Sequence, residues 1–412
     1  MSDAPPRVLV VVGTRPEAIK MAPVMRALVA RGSEVEPRLV LTGQHDELVH
    51  GVLDVFDLEP AHDLEIMSPG QTLYDVAHRC LDGLRDVVQA EQPEAILVQG
   101  DTATVCFGAL VGFLERVRVG HVEAGLRSHD KWAPWPEEIF RRVTDVLSDW
   151  YFAPTEASAA NLRDEGVPGG ALHVTGNTVV DALRHIGAED RPIADDALRS
   201  AVESDDRLVL LTAHRRESFG APMRAAFGAV RKLADRHSDL RIVYPVHPNP
   251  KVREPAHEIL GGHPRISLTD PVDYFDLVAA LREADLVLTD SGGIQEEAPT
   301  FGVPVLVLRT VTERPEGVDA GVAQLVGTDP DRILAAAELA LERRAPGSER
   351  STEDAGRRAT SNPYGDGAAA ERIADIVVAD LTGSKRVTGD WIPDGTVPPE
   401  GAFAGSGREG SE

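Results

Sequence analysis

Cysteine and aromatic residues are scarce in this sequence of 412 residues, and it contains no long hydrophobic run. The two cysteines, Cys80 and Cys106, cannot build a disulfide framework, and such a low content is typical of a reducing cytosol. Because aromatic residues make up only 5 % of the chain, we expect a core of alanine, valine, leucine and isoleucine. No segment approaches the ~20 apolar residues that span a bilayer, and the N-terminus lacks the basic region of a signal peptide. We therefore predict a cytoplasmic protein.

Positive charge is also in short supply, since 42 lysine and arginine residues face 67 aspartate and glutamate residues, for a net charge of −25. Nucleic acids and anionic membranes are bound by summed positive charge. We therefore expect no nucleic-acid partner and no membrane partner. One small phosphate ligand in a local basic pocket remains compatible with this balance.

Short runs rich in β-branched residues alternate with longer amphipathic stretches, and the alternation starts again after Gly176-Asn177. This pattern predicts βαβ units, that is, parallel sheets with helices on both faces. The chain is also long for one domain, although a single large α/β domain is the alternative. We predict an α/β fold of two doubly wound, Rossmann-like domains facing a cleft, an N-terminal domain over 1–177 and a C-terminal nucleotide-binding domain over 178–366. The predicted strands are Val8–Val12, Arg38–Thr42, Ala95–Val98, Arg118–Val122, Leu208–Thr212, Arg241–Pro245, Ile266–Leu268, Leu286–Thr289 and Val305–Leu308.

The last residues, 385–412, are rich in glycine, proline and acidic side chains and lack hydrophobic periodicity. A segment of this composition does not bury enough apolar surface to offset the entropy lost on ordering. We therefore predict a disordered tail over 385–412, and we expect its deletion to leave the activity unchanged.

The turn after the first predicted strand is a candidate anion site. Gly13 permits a tight turn, and Pro16 suits the first position of the following helix. Arg15 and Lys20 flank this helix N-terminus, whose free N–H groups favour a negatively charged ligand. The alternative is an ordinary turn with two cations on the surface.

Candidate acid and base residues follow other predicted strands. Asp101 and Glu123 come after the third and fourth strands, Glu137 lies beyond a loop stiffened by tryptophan and proline, and His214 follows the first strand of the second half. Carboxyl ends of parallel strands meet at one edge of a sheet, where grouped carboxylates suit acid and base catalysis. The alternatives are a helix cap for Asp101, a surface loop for Glu137 and a structural histidine for His214.

The segment from Thr289 to Ala298 combines a strand end, a tight turn and a helix start. The backbone N–H groups of Ser291, Gly292 and Gly293, with the serine hydroxyl, suit a diphosphate. Glu297 repels phosphate and is better explained as an acceptor for ribose hydroxyls, while Arg314 offers positive charge. Together with the carboxylates, these residues predict an enzyme that acts on a nucleotide sugar.

Several runs occur in register from about Arg7 to about Leu381: GTRPEAIKMAP, GHVEAGLRS, PWPEE, TGNTVVDAL, AHRRESFG, YPVHPNP, LTDSGGIQEEAP, TERPEGV and NPYGDG. By these runs the sequence resembles the non-hydrolysing UDP-N-acetylglucosamine 2-epimerases. The resemblance implies a GT-B fold whose C-terminal helix, about 367–381 here, crosses back to the first domain. It also implies an isomerase that interconverts UDP-GlcNAc and UDP-ManNAc without cofactor or metal, as a homodimer in polysaccharide biosynthesis.

The resemblance also implies roles for individual residues. It assigns catalysis to Asp101, Glu123, Glu137 and His214, without settling which carboxylate is the acid and which the base. Substrate binding falls to Arg15, Lys20, Arg141, Ser291, Gly292, Gly293, Glu297 and Arg314. The implied reaction eliminates UDP to give 2-acetamidoglucal and then adds UDP back, with C2 protonated on the other face.

Some members of this family bind a second UDP-GlcNAc as an allosteric activator. Gln44 and His247 match that site, but Asp46 stands where many members have arginine, so activation stays open. Three rival functions also stay open: a GT-B glycosyltransferase, which would need an acceptor pocket, an epimerase that hydrolyses its product, and a non-catalytic sensor of nucleotide sugars.

Overall fold

The structure is a computed structural model that describes residues 4–43, 47–68, 70–189, 191–342 and 362–393. Its first unit is a parallel sheet of seven strands in the order β3-β2-β1-β4-β5-β6-β7. The strands are β1 (Arg7–Val12), β2 (Glu36–Leu41), β3 (His62–Asp63), β4 (Ala95–Gln99), β5 (Arg118–Val122), β6 (Trp150–Ala153) and β7 (Leu172–Val174). The helices are α1 (Arg15–Val29), α2 (Glu47–Val55), α3 (Leu73–Glu91), α4 (Ala103–Glu115), α5 (Glu137–Leu147), α6 (Glu156–Asp164) and α7 (Thr178–Ala188).

The second unit is a parallel sheet of six strands in the order β10-β9-β8-β11-β12-β13. The strands are β8 (Arg207–Thr212), β9 (Leu240–Pro245), β10 (Ile266–Thr269), β11 (Leu286–Thr289), β12 (Val305–Val307) and β13 (Ala323–Leu325). The helices of this unit are α8 (Asp196–Val202), α9 (Ala221–Arg236), α10 (Pro250–Leu260), α11 (Tyr274–Glu283), α12 (Gly292–Glu297), α13 (Pro315–Asp319) and α14 (Pro330–Glu342). A further helix, α15 (Ala369–Thr382), comes after them in the chain.

The central strands are mostly apolar, apart from residues at their ends, because helices cover both faces of each sheet. In β1, for example, Val8 to Val12 are all buried. The strand order reverses direction between β1 and β4 in the first sheet and between β8 and β11 in the second. These are the switch points at which open α/β sheets bind ligands. The predicted α/β architecture of two doubly wound sheets in a GT-B fold is confirmed.

Helix α15 follows the second unit in the chain but packs on the first unit. Ile373 and Val377 are fully buried in the core that also contains residues of α1 and α7. At the helix surface, Arg31 of α1 forms ion pairs with Glu371 at 2.6 Å and with Asp375 at 3.3 Å. None of the helices within the described ranges is long and apolar enough to cross a membrane.

Residues 385–393 contradict the prediction of a disordered tail that begins at Lys385. The backbone N–H of Trp391 donates to the carbonyl of Val174 in the edge strand β7 at 2.7 Å. The Trp391 ring is buried, and Asp375 of α15 accepts hydrogen bonds from two backbone amides of the segment. The edge of the sheet offers free hydrogen-bonding groups that a polar segment can pair with. The tail therefore begins with a docked strand-like segment.

Trp391→Ala should lower the stability of the protein by about 3 kcal/mol, because truncation of a buried tryptophan removes apolar burial and leaves a cavity. Thermal unfolding would show this as a Tm several degrees below that of the wild type. The control is Trp132→Ala, since the Trp132 side chain is 67 % exposed and should change Tm little. Equal Tm values for both variants would contradict docking of the segment. The rest of the predicted tail, 394–412, lies outside the described residues.

Candidate active site

Several predicted site residues follow strand ends near the two switch points. Arg15 and Lys20 lie at the start of α1, which follows β1, while the turns after β4 and β5 carry Asp101 and Glu123. In the second unit, His214 follows β8 and the start of α12 follows β11. A hydrogen bond joins the two units beside these strand ends. Thr155 Oγ1 of the first unit donates to Glu316 Oε1 of the second at 2.8 Å.

Glu123 forms a buried ion pair with Lys20. The Lys20 Nζ lies 2.6 Å from Glu123 Oε1, and Gln99 Nε2 donates to the other carboxylate oxygen. Burial alone would raise the pKa of Glu123, but the positive charges of Lys20 and Arg314 outweigh it and hold that pKa below its usual range. Glu123 is therefore an ionised carboxylate in a site with little water.

The backbone of Glu123 is strained. Its φ angle is +68°, in the left-handed region that a residue with a Cβ atom seldom adopts. Such a conformation costs on the order of 1–3 kcal/mol and persists where the surrounding structure holds it, often at functional sites. Here the ion pair with Lys20 holds the side chain that this backbone directs into the cleft.

Asp101 is paired with Arg141 of α5. Arg141 donates to Asp101 Oδ2 from Nε at 3.1 Å and also from Nη2. The same guanidinium donates from Nη1 to Glu138 Oε2 at 3.2 Å. Arg141, which the sequence analysis assigned to substrate binding, thus contacts one of the candidate carboxylates and orients it.

Glu137 and Glu138 are adjacent in the sequence, but the structure separates their environments. Glu138 is fully buried and accepts backbone N–H bonds from Ser128 at 3.0 Å and from His129 at 3.2 Å. Glu137 begins α5, and its buried Oε2 has no hydrogen-bond partner in the described part of the chain. A buried carboxylate oxygen without a hydrogen-bond partner lowers the stability of the fold. Such an atom is suited to accept a hydrogen bond from a ligand hydroxyl or from water.

His214 is oriented by Asp290, a residue that the sequence analysis did not single out. The backbone N–H groups of His214 and Arg215 both donate to Asp290 Oδ2 at 2.8 Å, and the His214 Nδ1 lies 3.5 Å from Oδ1. The His214 ring also stacks on His247, with ring centroids 5.5 Å apart. Burial lowers the pKa of His214 below its usual value despite the opposing charge of Asp290. The ring is therefore neutral near pH 7.

Two guanidinium groups flank the start of α12. A Cβ atom added to Gly292 would lie 3.8 Å from Arg215 Nη2 and 3.9 Å from the Arg314 guanidinium. Ser291 caps the helix and Gly293 is exposed beside it. Absence of side chains at the glycines lets a ligand approach both the backbone N–H groups and the two cations. Arg215, which we did not assign to the site, follows directly after His214 in the run that predicted it.

Asn177 joins the catalytic side of the site to the phosphate side. Its Nδ2 lies 3.4 Å from Glu123 Oε1 and 3.3 Å from Glu296 Oε2. Glu296 in turn accepts a hydrogen bond from Arg314 Nε, and this pairing keeps the pKa of Arg314 above its usual range. The sequence analysis missed Asn177 and Glu296, because only the tertiary structure brings the two units together.

Glu297 lies beside Tyr274, whose hydroxyl donates to Glu297 Oε1 at 3.3 Å. Burial and then the neighbouring Glu296 raise the pKa of Glu297 to about 7, although Lys20 and Arg15 oppose the shift. The side chain of Arg15 is half-buried at the start of α1. A carboxyl group with this pKa is a suitable acceptor for sugar hydroxyls and carries only part of a full negative charge near neutral pH.

Two further sequence predictions concern an allosteric site and the lack of a metal site. Gln44, assigned to an allosteric site, lies outside the described residues, whereas His247 stacks on His214 as described above. In the described ranges, no three histidine, cysteine, aspartate or glutamate side chains are grouped so as to hold a metal ion.

Comparison with known proteins relates this arrangement to one family. The model of the family described as UDP-N-acetylglucosamine 2-epimerase matches residues 27–378. The UDP-N-acetylglucosamine 2-epimerase of Escherichia coli (strain K12) is 45 % identical over 378 residues, which cover 90 % of this chain and 98 % of the relative.

Solved structures agree with this match. The Staphylococcus aureus MnaA–UDP structure has a TM-score of 0.78 at 43 % identity and covers 94 % of this chain and 100 % of its own. The UDP-GlcNAc 2-epimerase from Neisseria meningitidis bound to UDP-GlcNAc has a TM-score of 0.76 at 38 % identity, covering 90 % and 99 %. The chain described here belongs to the UDP-N-acetylglucosamine 2-epimerase family.

Proposed function

We propose that this protein interconverts UDP-GlcNAc and UDP-ManNAc by elimination and re-addition of UDP. The observation that carries the proposal is the junction through Asn177, which joins the carboxylates of the first unit to the guanidinium groups at α12. A UDP-sugar laid across this junction would have its diphosphate at α12 and its sugar beside Glu123. Family membership and the UDP and UDP-GlcNAc bound to the two related structures support this placement.

The chemistry requires departure of UDP because the proton at C2 has no neighbouring carbonyl group to make it acidic. When the bond between C1 and the phosphate oxygen breaks, C1 becomes electron-poor and the C2 proton can leave to a base. The products are UDP and 2-acetamidoglucal, with a double bond between C1 and C2. Addition of UDP to C1 and of a proton to the opposite face of C2 then gives the epimer.

The second unit provides the groups that stabilise the departing diphosphate. Charge develops on the phosphate oxygens as the bond to C1 breaks, and preorganised cations and N–H groups stabilise such charge most effectively in a site with little water. Arg314, Arg215 and the backbone at the start of α12 are placed for this task. The neutral ring of His214 lies next to them and can donate a hydrogen bond to a phosphate oxygen.

The first unit provides the carboxylates for proton transfer. Glu123 and Asp101 are each paired with a cation, Lys20 and Arg141 respectively. The charge of Lys20 lowers the pKa of Glu123, which favours the anionic form of this carboxylate that accepts a proton. Glu137 has a buried oxygen without a partner and forms no ion pair in the described part of the chain. One carboxylate on each face of the sugar would allow removal of the proton on one side and return on the other.

The test is the fate of the hydrogen at C2. In D₂O, UDP-ManNAc formed from UDP-GlcNAc should carry deuterium at C2, because a carboxylic acid exchanges its proton with solvent between removal and return. Mass spectrometry and NMR of early product measure this, and traces of 2-acetamidoglucal and UDP should accompany it. UDP-GlcNAc without enzyme is the control for spontaneous exchange.

Other products of the same incubation would identify the rival functions. Free ManNAc with stoichiometric UDP would indicate a hydrolysing epimerase, and complete retention of hydrogen at C2 would contradict the elimination mechanism. Unchanged UDP-GlcNAc would be the result for a sensor or for a glycosyltransferase without its acceptor.

We further propose that the protein acts as a homodimer in the cytoplasm. Helices α4 and α5 are neighbours, with the rings of Phe107 and Phe140 5.8 Å apart. Their outer faces expose apolar side chains of a kind that marks protein interfaces, and α5 carries the candidate residue Glu137. These side chains are Phe113, Leu114, Ile139, Val143 and Val146. Both cysteines are buried and free, which suits a reducing compartment.

Val146→Glu should convert the dimer to monomers, because it places a charge in an interface of apolar side chains. Val146 is 83 % exposed in the single chain, so the substitution should leave the fold unchanged. Analytical ultracentrifugation measures the mass. The control is Val311→Glu in the second unit, where the side chain is 69 % exposed, and a monomeric wild type would contradict the proposal.

A further inference from the structure

A chain of four ionisable side chains, three of them buried, lies behind the carboxylate site and has no role in the proposed function. His121 Nδ1 lies 2.6 Å from Asp145 Oδ1, and Asp145 Oδ2 lies 2.7 Å from Arg127 Nη2, which is also 2.7 Å from Glu165 Oε2. The side chains of His121, Asp145 and Arg127 are at most 3 % exposed. Burial of charge is expensive even when it is paired, so this chain calls for an explanation besides packing.

Both ring nitrogens of His121 face hydrogen-bond acceptors. Nδ1 faces the carboxylate of Asp145, and Nε2 lies 2.8 Å from the carbonyl oxygen of Gly100. Burial alone would raise the pKa of Asp145, but His121 and Arg127 outweigh it and lower that pKa. The two nitrogens therefore hold the ring between helix α5 and the turn after β4.

The residues around His121 belong to the three segments that carry the candidate carboxylates. Gly100 is bonded directly to Asp101, Asp145 lies on helix α5 with Glu137, and His121 itself precedes Glu123 by two positions in the chain. The backbone of Gly100 has a φ angle of +86°, which a glycine adopts at little cost. A glycine peptide is free to rotate unless its groups are held, and the carbonyl of Gly100 is held by His121.

We propose that His121 is a positioning residue for the reaction, which fixes the peptide between Gly100 and Asp101 so that Asp101 stays in register with α5. The proposal rests on the proposed function, because it gives Asp101 a place in proton transfer. Asp145 holds the other side of the ring, so that the turn after β4 and helix α5 are tied through a single side chain. A displacement of about 1 Å in such a group costs roughly 10² in rate.

Two substitutions separate the contacts of the ring. In His121→Gln the amide nitrogen takes the place of Nε2 and can still donate to the Gly100 carbonyl, while the contact with Asp145 is lost. In His121→Asn the amide nitrogen takes the place of Nδ1 and can still donate to Asp145, while the contact with Gly100 is lost. The two variants remove the same ring and differ in the contact that remains.

We expect His121→Asn to lower kcat by about 10²-fold and His121→Gln to lower it by less than about tenfold. KM for UDP-GlcNAc should stay within a few-fold in both, because the lost contact acts on the chemical step. Calorimetry with UDP and thermal unfolding measure whether each variant is folded. Equal kcat values, a lower kcat for the glutamine variant, or failure of both variants to fold would overturn the proposal. If only His121→Asn unfolds, the kcat of His121→Gln decides. A kcat within tenfold of the wild-type value supports the proposal, and a lower kcat overturns it.

A double-mutant cycle tests whether the effect passes through Asp101. In an Asp101→Asn background, His121→Asn should cause little further loss of kcat, since the group that it positions is already absent. Independent, multiplying losses would overturn the proposal. Inactivity of the wild type on UDP-GlcNAc would instead contradict the proposed function, and full activity of Asp101→Asn would contradict the role of Asp101.

Discussion

Glu123→Gln is expected to lower kcat by roughly 10²–10⁴-fold, the usual cost of removing a positioned acid or base. This carboxylate lies beside Lys20, whose charge lowers its pKa, and it is held on a strained backbone at the end of β5. Glutamine has the same shape but accepts no proton at neutral pH. NMR of the conversion of UDP-GlcNAc measures the loss, and calorimetry with UDP should show that binding is largely retained.

The same reasoning applies to Asp101→Asn and Glu137→Gln, whose carboxylates are the other two candidates for proton transfer. The control is Glu156→Gln, because Glu156 forms only a surface ion pair with Arg163 on α6, worth little in free energy. A variant that keeps more than about a tenth of the wild-type turnover would remove its carboxylate from the catalytic group. Comparison of the three variants in D₂O would also show which of them blocks removal of the C2 proton and which blocks its return.

Arg314→Ala is expected to weaken UDP binding by about 1.5–3 kcal/mol, which corresponds to a Kd raised roughly 10- to 150-fold. Arg314 lies against Gly292 at the start of α12, so its loss removes a charge-assisted contact to the diphosphate. The substitution also removes a charged partner of the buried Glu296, which keeps the hydrogen bond from Asn177. Thermal unfolding should therefore accompany the calorimetric titration with UDP.

The matched control for Arg314 is Arg241→Ala in the same unit. Arg241 lies at the amino-terminal end of β9, away from the switch point, and pairs with Asp206 at 2.8 Å. Its loss should leave the Kd for UDP unchanged. An unchanged Kd in Arg314→Ala as well would refute a contact between Arg314 and the diphosphate.

Local sequence patterns determined the main elements of the fold. The predicted strands Arg118–Val122 and Leu286–Thr289 occur with these bounds in the structure, because the hydrophobic pattern of each segment depends on its own residues alone. Short elements escaped prediction: β6 and β7 have four and three residues, too few for a period to be recognised. Their pairing with longer strands stabilises them.

The sequence by itself also determined which side chains reach the cleft, since Asp101, Glu123 and His214 each follow a strand and strand ends define the site in this class of fold. It did not determine their partners. Glu137 and Glu138 are alike in sequence, and only the packing of α5 buries Glu138 against backbone amides and leaves Glu137 with an unpaired oxygen.

Only the tertiary structure decided how distant segments meet. Asn177 and Glu296 are 119 positions apart in the chain and carry no local signal, yet they connect the two units at the centre of the site. Trp391 lies in a stretch whose composition predicts disorder, and its burial depends on the free edge of β7. The period and composition of a segment depend on its own residues and can be recognised in the sequence. Ion pairs, the hydrogen bonds of Asn177 to both units and the docking of a segment on a sheet edge depend on surfaces that exist only after both sheets have folded.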